Sequence, residues 1–91
     1  MSVPDRIRAR LAAFEPSLIE VEDDSHLHAG HAGARSGGGH YNLHIVSDEF
    51  VGKNTVARHR MIYAALGEMM KSEIHALAIR AQTAEEAKQS N

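Results

Sequence analysis

Residues 40–81 read HYNLHIVSDEFVGKNTVARHRMIYAALGEMMKSEIHALAIRA, and two changes of hydrophobic period within this stretch decide the fold. Over 40–47 the period is two: Tyr41, Leu43 and Ile45 fall on one face of a strand, and His40, Asn42 and His44 on the other. Asp48 to Asn54, with Gly52, interrupts the pattern as a turn. From 55 to 70 the period becomes helical. Val56, His59, Tyr63, Leu66 and Met70 share a face that Ile62 and Met69 widen. Period two returns over 75–81, with His75, Leu77 and Ile79 on one parity. A strand, a helix and a strand in succession require a parallel pair joined by a right-handed crossover.

The flanking sequence extends this unit. Residues 2–14 read as a helix: Ser2 and Asp5 have capping-box spacing, Pro4 sits in the first turn, and Ile7, Leu11 and Phe14 form one apolar stripe that Pro16 ends. Residues 17–23, with Leu18, Ile19 and Val21, read as a strand antiparallel to the one at 40–47. Between them lies a long loop, DSHLHAGHAGARSGGG over 24–39, which holds five of the seven glycines and no strong apolar anchor. Loops of that length inside a compact domain are more often functional than not. Thr83 and Glu86 form a second capping box and start a short last helix, which frays into a polar tail over 88–91. The order is αββαβα, an α+β fold with a three-stranded mixed sheet packed by helices, and a single domain over 1–91.

This topology carries a spatial expectation. The hairpin loop lies at the N-terminal end of the strand at 40–47. The last strand runs parallel to it, so His75 lies at that same end. Lys53 and the start of the long helix fall at the other end.

Composition narrows the function classes. Ten Lys and Arg against twelve Asp and Glu give a net charge of −2, which excludes binding of nucleic acid by bulk charge alone. The absence of cysteine removes disulfide scaffolds, thiolate zinc ribbons, thiol nucleophiles and any Fe–S cage the chain builds by itself. It permits a reducing compartment. No apolar run reaches membrane-spanning length, and the start of the chain has neither signal-peptide pattern nor room for a transit peptide. A cytoplasmic protein with no membrane role is the expectation. A catalytic reading finds no nucleophile motif, and the GGG run precedes a strand, so it is not a phosphate-binding loop before a helix.

Two constellations remain. His26, His28, His31 and His40 surround the glycine-rich loop, and His75 is expected beside them. Neutral imidazole binds iron, zinc, copper and nickel, and Fe–S clusters accept it; solvated histidines on a loop are the plainer alternative. Histidine ligands must shed their protons, so binding through them weakens as pH falls through about 6.5. The second constellation is Lys53, Arg58, His59 and Arg60 around the start of the long helix, whose free N–H groups suit phosphate. On the helical wheel His59 points inward, and Arg58 and Arg60 flank the apolar stripe, which their aliphatic stems can cover.

The strings DDSHLHAGH (23–31), FVGKNTVARHRMIYAAL (50–66) and EIHALAIRAQTAEE (73–86) resemble the BolA family in order and spacing across nearly the whole chain. The resemblance implies a BolA-like fold, similar to a type II KH domain, and a non-enzymatic role. In that role a [2Fe-2S] cluster bridges the protein to a monothiol glutaredoxin, whose side supplies a cysteine and a glutathione thiolate. The ligands it implies here are His75 and a residue of the hairpin loop. Several family members have a loop cysteine; this sequence has none, which leaves His28 first and His31 second. Some bacterial members are described as DNA-binding transcription regulators, a role that falls here to Lys53, Arg58, His59 and Arg60. Alone, the chain is expected to be a monomer or a weak homodimer.

Overall fold

The computed structural model describes residues 1–25 and 39–89. Helix α1 spans Val3–Leu11, and Ser2 caps it. The Ser2 hydroxyl accepts from the Asp5 amide, and the Ser2 amide donates to the Asp5 carboxylate. Hydrogen bonds from the Ser2 hydroxyl, then from the Ser2 amide, hold the Asp5 carboxyl below its usual range. A 3₁₀ turn over Ala12–Phe14 follows, and Glu15 then takes a left-handed conformation (φ 48°) that breaks the helix just before Pro16. Strand β1 (Leu18–Asp23) pairs antiparallel with β2 (Gly39–Val46), and β2 pairs parallel with β3 (Ile74–Gln82), in the order β1-β2-β3. Between β2 and β3 run α2 (Thr55–Leu66) and the single turn α3 (Met69–Ser72); α4 (Ala84–Gln89) closes the chain.

The helices cover one face of the sheet. Ile7 and Leu11 of α1, Ile62 and Leu66 of α2, and Met69 of α3 pack with Tyr41, Leu43 and Ile45 of β2 and with Phe50 and Ile74, all buried. The alternation read in β2 therefore holds, because one face of that central strand is dry.

Three local expectations are corrected. The long helix does not run to residue 70. Gly67, at φ 54°, ends α2 with its amide bonded to the Tyr63 carbonyl, and α3 starts separately at Met69. The buried stripe of α2 is also rotated from the one expected. Val56 is 57% and Tyr63 40% exposed, whereas Arg58, Ile62 and Leu66 face inward. Arg58 reaches the interior because its charge is met there. Its two terminal nitrogens donate to the Glu86 carboxylate at 2.6 and 3.1 Å, Nη1 also donates to the Ala81 carbonyl and Nε to that of Lys53. The guanidinium lies over the Phe50 ring at 5.9 Å from its centroid. Third, His75 does not share the inward parity of Leu77 and Ile79. Gly39 is level with Ile74 but His40 is level with Ala76, so His75 is an extra residue at a bulge.

The Arg58–Glu86 pair ties α4 to α2 and makes stability depend on pH. Hydrogen bonds from Arg58, then the Thr83 amide, lower the Glu86 carboxyl from the ordinary 4.5 to about 2. A carboxyl with a depressed folded pKa contributes stability that is fully present above its unfolded value. Glu86→Gln should therefore lower the melting temperature near neutral pH, and the gap from wild type should close as pH falls from about 4.5 to about 2. A gap that stays constant over that range, in thermal melts of the two proteins, would mean that Glu86 carries no linked proton.

Candidate functional site

The end of the sheet where β2 and β3 begin is fixed by backbone hydrogen bonds. The Gly39 amide donates to the Glu73 carbonyl at 3.0 Å, and the Asp24 amide donates to the His40 carbonyl at 2.8 Å. The His40 amide donates to the Ser25 hydroxyl at 3.0 Å. The Gly39 end of the 24–39 segment thus meets the start of β3, and the Asp24–Ser25 end is held to β2 at His40. Gly39 has no substitute here, since a Cβ would lie 2.7 Å from ring carbons of the buried Tyr41. Burial pushes the Tyr41 phenol up, with the Asp23 carboxylate adding to the shift.

His75 lies at this end, exposed, and the bulge brings its ring to 5.1 Å from that of half-buried His40, centroid to centroid, at a tilt of 38°. The two imidazoles sit on the sheet face opposite the helices. His28 and His31, the loop histidines expected as partners of His75, lie outside the described residues, as does His26. In the sequence His40 is one of the histidines around the loop, with nothing that singles it out as a ligand. The bulge that brings His75 beside it has no sequence mark, since IHALAI reads as unbroken alternation.

The same outer face carries polar side chains further along. Asn42 bonds Asp24, and His44 is held between Gln82 (Nε2 to Oε1, 2.8 Å) and Glu20 (Nδ1 to Oε1, 3.6 Å). A shallow cleft of about 520 Å³ opens there, lined by Glu20, Glu22, Asn42, His44, Ala78 and Arg80. It is not at the histidine pair. Among the described residues no group of three or more His, Cys, Asp or Glu side chains is arranged to hold a metal.

At the opposite end Lys53 and Arg60 are exposed and His59 is half-buried, its ring edge-on to Tyr63 at 6.4 Å. Asn54 caps α2 by accepting from the Ala57 amide at 2.8 Å. Arg58 differs from its neighbours: its guanidinium is engaged inside the protein, which leaves Lys53 and Arg60 as the cations of that set open to an anion. No helix among the described residues is long and apolar enough to cross a membrane.

Comparison with known proteins agrees with this architecture. The family model described as BolA-like protein matches residues 11–86. Over 87 residues the chain is 41% identical to the DNA-binding transcriptional regulator BolA of Escherichia coli (strain K12), covering 94% of this chain and 80% of that protein. It is 50% identical over 84 residues to SufE-like protein 1, chloroplastic/mitochondrial, of Arabidopsis thaliana, spanning 86% of this chain but only 23% of that protein's length. Among solved structures, the BolA domain of SufE1 from Arabidopsis thaliana matches with a TM-score of 0.81 at 47% identity, covering 94% of this chain and 96% of that one. BolA1 from the same plant matches with the same TM-score and coverage at 38% identity.

Proposed function

The chain belongs to the BolA family, and from that premise we propose that it is a non-enzymatic adaptor joined to a monothiol glutaredoxin by a bridging [2Fe-2S] cluster. The cluster is cargo or signal. His75 and a second histidine supply this chain's ligands, and the partner supplies its cysteine and glutathione. The observation that carries the reading is the exposed His75 on its bulge, with another imidazole 5.1 Å away where both ends of the long loop return. The donor chemistry fits. Imidazole ligates Fe–S iron and gives a higher potential than thiolate, and a chain with no cysteine needs a partner's thiolates to hold a cluster.

A second reading, a DNA-binding regulator, is favoured by the name of the 41% identical Escherichia coli relative and by exposed Lys53 and Arg60 beside the start of α2. With Arg58 paired to Glu86 and a net charge of −2, such binding would be modest and strongly salt-dependent.

The test mixes the protein with a cluster-loaded monothiol glutaredoxin and records visible absorption, circular dichroism and molar mass on one sample. A one-to-one complex with an altered cluster spectrum is expected. If neither mass nor spectrum changes, the adaptor reading fails, and salt-dependent DNA binding at Lys53 and Arg60 becomes the leading account.

A further inference from the structure

We propose that His40, not a histidine of the loop, is the partner of His75, and that the two form a bidentate imidazole site for one first-row transition metal of the borderline class, such as Zn²⁺ or a cluster iron. The inference rests on the adaptor reading only for the remaining ligands. The two-histidine site itself lies within the sheet.

Three features of the fold put these side chains together. His40 is held at both backbone atoms, its amide by the Ser25 hydroxyl and its carbonyl by the Asp24 amide, so its Cα position does not depend on the rest of the loop. His75 is the inserted residue between the register pairs Gly39–Ile74 and His40–Ala76. Without the bulge, strict alternation from buried Ile74 would turn Leu77 and Ile79 out of the core; with it, they pack inward and His75 is re-aimed beside His40. The resulting ring separation, 5.1 Å between centroids, suits a shared ion. Two nitrogens at about 2.0–2.1 Å from a tetrahedral metal lie roughly 3.4 Å apart. Each ring nitrogen is displaced from its centroid, so a turn of the exposed His75 ring spans the difference.

The surroundings suit a cation. Asp23 ends β1 beside this corner with Asp24 just after it, and Glu73 precedes β3, while Arg6 is paired to Glu73 from the helical side. Two protein nitrogens leave two tetrahedral positions open. That is too few ligands for a closed structural site; on a cluster iron the two bridging sulfides would fill those positions, and a partner's two thiolates would hold the second iron.

The experiment follows the imidazole Cε1–H resonances of the full apo chain as Zn²⁺ is added. It compares wild type, the triple variant His26→Ala/His28→Ala/His31→Ala, and His40→Phe, which keeps a ring against His75 without its nitrogens. We expect the His40 and His75 resonances of wild type and the triple variant to shift together and saturate at one Zn²⁺ per chain. In His40→Phe, Zn²⁺ binding at His75 should weaken at least tenfold. An unchanged amide spectrum establishes that His40→Phe is folded, and a melt places the titration below its transition; if that variant is unfolded, His40→Gln takes its place. Zn²⁺ binding at His75 that survives loss of the His40 ring, or disappears with the loop histidines, overturns the pair. The same variants are then mixed with cluster-loaded glutaredoxin. A wild-type mixture with no altered spectrum rejects the adaptor reading while the Zn²⁺ result still decides the pair. An altered spectrum that is kept by His40→Phe and lost by the triple variant rejects the pair and leaves the adaptor reading standing.

Discussion

His75→Ala is expected to abolish the His-ligated cluster spectrum of the mixed complex and to leave the apo protein's stability within about 0.5 kcal/mol of wild type. The two halves of this result have separate physical causes. His75 is exposed and belongs to a bulge, so its side chain contributes little to packing, and alanine adopts the same backbone without strain. As a ligand it has no replacement on the strand, because the residues that follow it are Ala76 and Leu77. The partner keeps its thiolates, so the cluster reverts to the partner's own coordination and the visible spectrum follows it. Absorption and circular dichroism of the mixture, with a thermal melt of the apo variant, measure both halves. A spectrum identical to wild type would remove His75 from the ligand set; a large drop in melting temperature would make it a structural residue instead.

What could be read in advance, and what could not, divides along physical lines. The alternation of Tyr41, Leu43 and Ile45 was legible because a central strand with one dry face must alternate. The helical connection fixed the parallel pairing of β2 and β3, and with it the approach of His75 to the base of the loop. Two features escaped. A hydrophobic wheel runs the α2 stripe through Val56 and Tyr63 because apolar side chains outrank arginine on it. Arg58 takes the inner position because Glu86, 28 residues later, and the Phe50 ring receive it there. The bulge at His75 escaped because inserting one residue changes register without changing composition. That bulge is what makes His40 the neighbour of His75, so the pairing of the two rings was hidden by the feature that creates it.

Phe50→Ala should be the most damaging single substitution, costing about 3–5 kcal/mol. Phe50 is fully buried, with the Phe14 ring at 5.5 Å on one side and the Arg58 guanidinium at 5.9 Å from its centroid on another. Its position is set by the 3₁₀ turn Asp48–Phe50, capped by Ser47, whose hydroxyl accepts from the Glu49 amide and donates to the Phe14 carbonyl. Removing the ring leaves a cavity between parts of the chain that hold one another in place. It also leaves Arg58, which needs a partner wherever water is excluded, beside an empty volume. Against a total of about 5–15 kcal/mol for a native domain, this loss is severe, and at about 4–8 °C per kcal/mol it should lower the melting temperature by well over 10 °C. Phe50→Leu, which nearly conserves volume, should cost about 1.5 kcal/mol or less. Because Phe50 and Glu86 both contact Arg58, the double variant Phe50→Ala/Glu86→Gln should lose less than the sum of the singles. Urea melts of the four proteins measure this cycle. Additive losses would mean that the ring and the carboxylate hold Arg58 independently, and a Phe50→Ala loss under about 1 kcal/mol would mean that this end of the core collapses around the gap. The histidine pair is at the far end of the sheet. Below its lowered melting temperature the Phe50→Ala protein should therefore still bind Zn²⁺ through His40 and His75, which separates damage to the fold from damage to the site.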